Sequence, residues 1–271
     1  MKTRIATACI GIVLFIGVLL VGHTVVLDMA VMVLIMIAMW EIFSTMGYLK
    51  NRILVVICFS FGISMPLFSH FEPYVRSGAV YILITLLFCC LLYYRDTMSI
   101  EHIGAAFLFT YFLPLSLSTC VSIRLLPNGE YLIYLAFMIP WLSDSCAYFF
   151  GKAFGKKKLC PNISPNKTVV GGIAGLLGGG VLAPVAFGVV MKFIFHLQMT
   201  NFAVLVFCCL LCALISEIGD LSASIIKRKY NVKDFGNLFP GHGGVMDRFD
   251  SVIFVMPLFY TFLKSFEIIL R

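Results

Sequence analysis

Charge is what this chain has least of. Asp, Glu, Lys and Arg together supply 33 of 271 residues, 12% of the length, where ordinary soluble domains carry about 25%. With 61% hydrophobic residues and a mean hydropathy of +1.02, that scarcity excludes a soluble globular domain and implies an integral membrane protein. Other absences narrow the reading. No convincing small-residue cleavage site follows the first apolar run after "MKTR", and another long run begins almost at once, so a retained first helix is expected rather than a signal peptide. Cys and His nowhere take a zinc-site spacing. Most of the ten cysteines lie inside apolar runs, as at Cys89, Cys90 and Cys208, where a buried thiol packs as a small hydrophobe; Cys160, in a basic loop, is the exception. No internal repeat is visible, which argues against an anion transporter built from matched halves.

What is present is apolar run after apolar run, at roughly 8–22, 25–48, 53–69, 78–94, 102–120, 129–148, 169–195, 201–219 and 251–268. Most approach the roughly 20 residues that cross about 30 Å of hydrocarbon as helix, and several are shorter. The expected fold class is therefore all-α, a polytopic bundle of about nine transmembrane helices. Lys and Arg orient it. With the N-terminus cytoplasmic, fifteen of the twenty bases fall on that side: Lys2, Arg4, Lys50, Arg52 and Arg95, five between Lys152 and Lys167, and five between Lys227 and Arg248. That bias predicts the N-terminus inside and the C-terminus outside.

The polar residues are unevenly spread. Residues 1–140 read as spans joined by short loops, a scaffold with a lipid groove. Their most unusual residue is Glu41, near the cytoplasmic end of the second run, where a carboxylate is costly unless it pairs or faces a polar cavity; a functional carboxylate and an interfacial charge beside Trp40 are both open readings. Asp28 reads as a span-end residue. Residues 141–271 carry the chemistry, in cytoplasmic loops at 150–168 and 221–250. The Pro and Gly spacing from Gly151 to Pro165 predicts a folded loop rather than one continuous helix. The glycines at 171, 172, 175 and 178–180 predict a helix that approaches its neighbours closely.

From Ser224 to Ser251 the chain gathers five bases, three carboxylates, His242 and four glycines. Asp220, Ser224 and Lys227 share a face if their segment is helical, and Asp247 and Asp250 share another. A helix lying on a lipid surface needs the bases but not the aligned carboxylates. Carboxylates with Lys and Arg suit a phosphate substrate held through Mg²⁺. "FPGHGG" matches neither the Walker nor the dinucleotide glycine pattern; its glycines predict a tight turn with amide N–H groups facing a phosphate. His242 either donates to that phosphate or holds the turn.

This stretch resembles the signature of the phosphatidate cytidylyltransferases, the membrane enzymes that make CDP-diacylglycerol. Ser224, Lys227, Arg228, Lys233, Asp234, Pro240, His242, Gly243, Gly244, Asp247, Arg248 and Asp250 occupy the pattern without a gap. Upstream, Asp144, Ala147, Tyr148, Gly151, Phe154, Gly155, Lys156, Ser164, Pro165, Lys167 and Thr168 resemble a second conserved region of that family. One position departs: Val170 stands where such proteins commonly carry Glu.

The resemblance implies that phosphatidate attacks the α-phosphorus of CTP, giving CDP-diacylglycerol and pyrophosphate. Asp220 and Asp247, with Asp144, are then expected to organise Mg²⁺, with a second cation left open. Lys227, Arg248 and His242 complete the expected catalytic set. Ser224, Arg228, Lys233, Asp234, Gly243, Gly244 and Lys167 are expected to hold the nucleotide and lipid phosphates. The "KKK" run at 156–158 either draws anions to the site or only adds to the positive cytoplasmic charge. The expected partners are CTP, phosphatidate and the bilayer of the cell membrane, with the active site facing the cytoplasm and no nucleic acid. A homodimer rests on the resemblance alone. CTP-dependent activation of another membrane lipid, such as an isoprenoid-based one, is the alternative.

Overall fold

A single apolar segment crosses hydrocarbon with its N–H and C=O groups satisfied only as a helix, and the expected runs take that form. The structure is a computed structural model that describes residues 17–19, 24–197, 199–239, 241 and 243–266. The first expected run, 8–22, falls almost wholly outside them, as do Pro240 and His242. Among the described residues, seven helical segments are long and apolar enough to cross a membrane. The protein is a polytopic, multi-helix membrane protein. The last helix carries Asp247, Arg248, Asp250 and Lys264 and is not one of the seven.

The chain divides into two compact units, Met1–Ser122 with Val232–Arg248, and Ile123–Asn231 with Phe249–Arg271. In the first, α1 (Thr24–Thr45), α2 (Arg52–Ser64), α3 (Pro73–Tyr93) and α4 (Ile100–Arg124) follow one another. The α2 segment continues through a short 3₁₀ turn at Leu67–His70. On α1, Val31, Ile35, Ala38, Met39 and Ile42 are buried while Val25, Met29, Val33, Met36 and Trp40 are exposed. Burial thus keeps the helical period although both faces are apolar, as expected of a helix with protein on one side and lipid on the other. Gly62 lets α2 close on α1, since a Cβ there would collide with Met39. Asp28 is more than a span-end residue. It is buried, and its Oδ2 lies 2.9 Å from Nε2 of His70.

The second unit begins with α5 (Gly129–Phe154) and a short antiparallel ribbon, β1 (Lys158–Cys160) with β2 (Ser164–Thr168). The expected loop at 150–168 is folded, although α5 runs five residues into it. Next, α6 (Val169–Leu177), a π turn at Gly178–Leu182 and α7 (Ala183–Ile194) make one span, followed by α8 (Phe202–Lys229) and α9 (Met246–Ser265). The glycine run behaves as a packing face. A Cβ on Gly171, Gly175 or Gly179 would meet, in turn, the carbonyl oxygens of Ala147, Ser143 and Ile139 at 2.8, 3.1 and 2.7 Å. Both series advance by four residues in opposite directions, so α6 lies antiparallel on α5 with backbone close to backbone. The nine described cysteines are free thiols, and Cys58, Cys90, Cys120, Cys208, Cys209 and Cys212 are buried, as a packing role requires.

The same geometry sets the cost of adding volume. Gly179→Val is expected to destabilise the fold by about 1–3 kcal/mol, the usual penalty of overpacking. Gly104→Ala, where a Cβ meets nothing within 4 Å, is expected to be neutral. Denaturation of both variants in detergent micelles checks the contrast.

Candidate active site

The second unit encloses a cavity of about 590 Å³ at the junction of α5, the ribbon, α6 and α8. Its volume is within the range of small-ligand pockets. Asp144 and Tyr148 reach it from α5, Lys158 and Lys167 from the ribbon, and Glu217 and Asp220 from α8. The ribbon exists to deliver its lysines. Its strands pair Lys158 with Thr168 and Cys160 with Ser164, and the Val169 amide donates to the Lys157 carbonyl at 3.0 Å. Thr168 then caps α6, its Oγ1 accepting from the Gly171 amide at 3.1 Å, as an N-cap hydroxyl does. Gly151 and Gly155 leave room for that threonine, because a Cβ at either would press on its hydroxyl.

An ion pair lies in the cavity. Lys167 Nζ lies 2.6 Å from Asp220 Oδ2. Glu217, one helical turn before Asp220, packs beside Gly172 and Gly175, and its buried Oε1 has no hydrogen-bond partner. A carboxylate oxygen so placed fits a cation or a donor brought by a ligand. Glu217 is not among the site residues expected from sequence; its spacing from Asp220 on one helix face is the signal that points to it.

Of the predicted residues in this unit, the cavity wall contains Asp144, Lys167 and Asp220. The α8 helix continues to Lys229, so Asp220, Ser224 and Lys227 do share a helix, and the expected loop at 221–250 is shorter than read. Lys227 Nζ is 4.0 Å from Asp250 Oδ2, and Arg228 Nε donates to the Ile163 carbonyl at 3.5 Å, tying α8 to the ribbon turn. Asp250 precedes the last apolar run and lies outside the seven spans. Burial first, then the Asp220 charge, pushes its carboxyl up to about 7; Lys227 opposes that shift and Asp144 adds to it.

Lys233, Asp234, Gly243, Gly244, Asp247 and Arg248 belong to the first unit. Lys233, Asp234 and Arg248 are exposed. Gly241 and Gly243 take φ values of +79° and +81°, which a side chain rarely adopts. The tight turn is as expected, but the partners of its amides differ from those read from sequence. Asp247 Oδ2 accepts from Phe235 N at 2.8 Å and Gly244 N at 3.0 Å, and Glu41 accepts from Val245 N and Met246 N. The first amides of a helix have no partner within it, and here carboxylates supply one. The role of His242 lies outside the described residues. So does any geometry for it.

Val170 lines a separate apolar hollow of about 360 Å³ with Cys146, Phe150, Ile173 and Leu182. Two residues along a helix turn the side chain by about 200°, so this position is opposed to Gly172 at the cavity. A Glu there would meet apolar walls.

Among the described residues no three His, Cys, Asp or Glu side chains gather as a metal centre. Mg²⁺ needs no such cage, since it usually retains water and takes one or two carboxylates with substrate phosphates. Asp144, Glu217 and Asp220 are hard oxygen donors of the right kind on one cavity wall.

Carboxylates and lysines on one cavity in a bundle of apolar helices are a fitting site for an anionic, phosphate-bearing ligand at a membrane. A model of the cytidylyltransferase family matches residues 2–266, and the chain belongs to that family. It is 35% identical over 272 residues to a phosphatidate cytidylyltransferase of Staphylococcus aureus (strain COL), covering 95% of this chain and 97% of that protein. A phosphatidate cytidylyltransferase of Staphylococcus haemolyticus is 31% identical over 278 residues, with the same 95% and 97% coverage. That of Bacillus subtilis is 37% identical over 174 residues, 64% of this chain and 62% of its own.

Thr168 carries the connection between ribbon and helix. Thr168→Val is expected to cost about 0.5–2 kcal/mol, the usual value of a lost cap. Thr168→Ser, which keeps the hydroxyl, is expected to retain most of it. Thermal unfolding of the purified variants measures the difference.

Proposed function

We propose that this protein transfers the cytidylyl group of CTP to phosphatidate, releasing pyrophosphate and leaving CDP-diacylglycerol in the bilayer. The observation that carries this reading is the cavity in which Lys167, Asp220, Asp144 and Glu217 meet at the ends of apolar helices. Near-full-length similarity to phosphatidate cytidylyltransferases supplies the substrate pair.

A phosphate oxygen of phosphatidate attacks the α-phosphorus of CTP. A new P–O bond forms as the bond from the α-phosphorus to the α,β-bridging oxygen breaks, and pyrophosphate leaves with that oxygen. The second ionisation of a phosphate monoester lies near pKa 6, so the nucleophile is anionic at neutral pH without a strong general base. The protein has to hold two anions together. Lys158 and Lys167 in the cavity neutralise phosphate oxygens, and Lys227, Arg228, Lys233 and Arg248 are proposed to add to that charge. Asp144 and Asp220 would hold Mg²⁺, with Glu217 as a further donor; the ion, when bound, neutralises charge on the triphosphate. Asp247 is proposed as a further carboxylate required for turnover.

In this reading Lys167 does two things in succession. Paired with Asp220 it keeps that carboxylate from standing unpaired; with nucleotide present it turns to phosphate. The apolar helices of residues 1–140 are proposed to take the acyl chains. The catalytic face is proposed to be cytoplasmic, from the distribution of Lys and Arg. A homodimer is the proposed assembly.

Purified protein with CTP, Mg²⁺ and phosphatidate should form CDP-diacylglycerol, and ATP or UTP in place of CTP should not support it. Asp220→Asn and Lys167→Met should each lower kcat roughly a hundredfold. Glu217→Gln should raise the Mg²⁺ concentration needed for half-maximal rate. Wild-type turnover in Asp220→Asn and Lys167→Met would refute the cavity as the active site. An isoprenoid lipid phosphate outpacing phosphatidate would refute the acceptor.

A further inference from the structure

The segment from residue 232 to 245 has little regular structure among its described residues beyond the bridge in which the Phe239 amide donates to the Gly243 carbonyl at 2.9 Å. Something else must hold it, because it leads directly into Asp247 and Arg248. Two carboxylates do. Asp247 Oδ2 takes the amides of Phe235 and Gly244, as above. Glu41, on α1 and more than 200 residues away in sequence, takes the next two: Oε1 accepts from Val245 N at 2.9 Å and Oε2 from Met246 N at 2.8 Å.

Glu41 is only 5% exposed, and the chain is shaped around it. A Cβ on Gly236 or on Gly244 would collide with its carboxylate. Both oxygens are needed as acceptors because both partners are N–H donors, and among side chains only a carboxylate offers two acceptors side by side. Its negative charge faces the first turn of α9, the favourable end of the helix dipole. The cap normally supplied by the residue before a helix is here supplied from another helix.

We propose that Glu41 is a positioning residue for cytidylyl transfer: its buried carboxylate fixes the Val245 and Met246 amides and so sets the direction in which α9 presents Asp247 and Arg248. This rests on the reading above that Asp247 is required for turnover. Glu41 touches no substrate. It acts through the backbone of the glycine turn.

The test compares Glu41→Gln, Glu41→Asp and Glu41→Ala with wild type and with Asp247→Asn. Purified enzyme in micelles is given CTP, phosphatidate and Mg²⁺, and kcat, both KM values and the folded fraction by size exclusion and melting are measured. Gln keeps the shape of the side chain but sets an NH₂ against a backbone N–H; Asp keeps both acceptors on a shorter arm. The expected result is a kcat per folded enzyme that falls roughly ten- to a hundredfold in Glu41→Gln and further in Glu41→Ala. Glu41→Asp should recover part of the loss, with KM for phosphatidate within about twofold of wild type because the lipid is not contacted. Wild-type kcat in Glu41→Gln and Glu41→Ala, with Asp247→Asn inactive, overturns the positioning role and leaves the site reading intact. Activity lost only in proportion to folded protein also overturns it. Wild-type turnover in Asp247→Asn removes the reading itself, and the positioning role with it.

Discussion

A carboxylate at the edge of hydrocarbon cannot rely on water, and this constraint organises the polar part of the molecule. Four such groups are held by a fixed partner. Asp28 has His70, Asp220 has Lys167, Asp250 has Lys227, and Glu41 has two backbone amides. Leaving any of these partially buried charges unmatched would cost several kcal/mol, so the pairings dictate where helices begin, where loops fold back and which glycines can carry no side chain. The apolar surface determines only that there are helices. The charges determine how their ends are arranged.

That arrangement is also what an enzyme joining a lipid phosphate to a soluble nucleotide requires. Its acceptor stays in the bilayer and its donor stays in water, so the chemistry has to occur at the level where helices end. The ribbon of residues 158–168 is the device by which α5 and α6 are joined without losing that level. It turns the chain back at the helix ends and leaves Lys158 and Lys167 on the cavity wall, opposite the acids of α8. Salt links of this kind exchange partners readily when a doubly charged phosphate arrives, because lysine is a mobile point charge on a flexible stem.

Much of this could be read from the residues alone. Among the described residues the apolar runs gave the helices because a membrane segment needs length and hydrophobicity and little else. The starts of several came within a few residues, but the helix read as 201–219 continues to Lys229, where its polar last turns leave no apolar signal. The glycines at 171, 175 and 179 declared a close contact, though not that their partner would be the carbonyls of α5. The signature from Ser224 to Asp250 named the chemistry. What could not be read was the direction of hydrogen bonds in the glycine turn. Amides there suit a phosphate or a carboxylate equally well, and only the fold shows that Asp247 and Glu41 take them. Glu41 stood out as an expensive residue, but a partner more than 200 residues away leaves no local pattern. Glu217 was overlooked for the opposite reason: it sits in a segment already explained by Asp220. Val170 looked like a missing acid until the helix phase placed it among apolar neighbours.

The π turn at Gly178–Leu182 has a consequence for how one span keeps both its halves against the same two neighbours, α5 and α8. A π turn holds one residue more than an α turn, and one residue is about 100° of rotation. Before it, Gly171 and Gly175 face α5; after it, Ala183, Pro184, Phe187 and Met191 are buried. Gly171, Gly175, Gly179, Ala183, Phe187 and Met191 lie four apart, and a regular α-helix would carry such a series about 40° further round at every step. The wide turn takes part of that drift back, so the buried series stays toward one side. The glycine-thin half beside the cavity and the bulkier half beyond it thus share one pair of partner helices, close to their backbone in the first half and spaced by Phe187 and Met191 in the second.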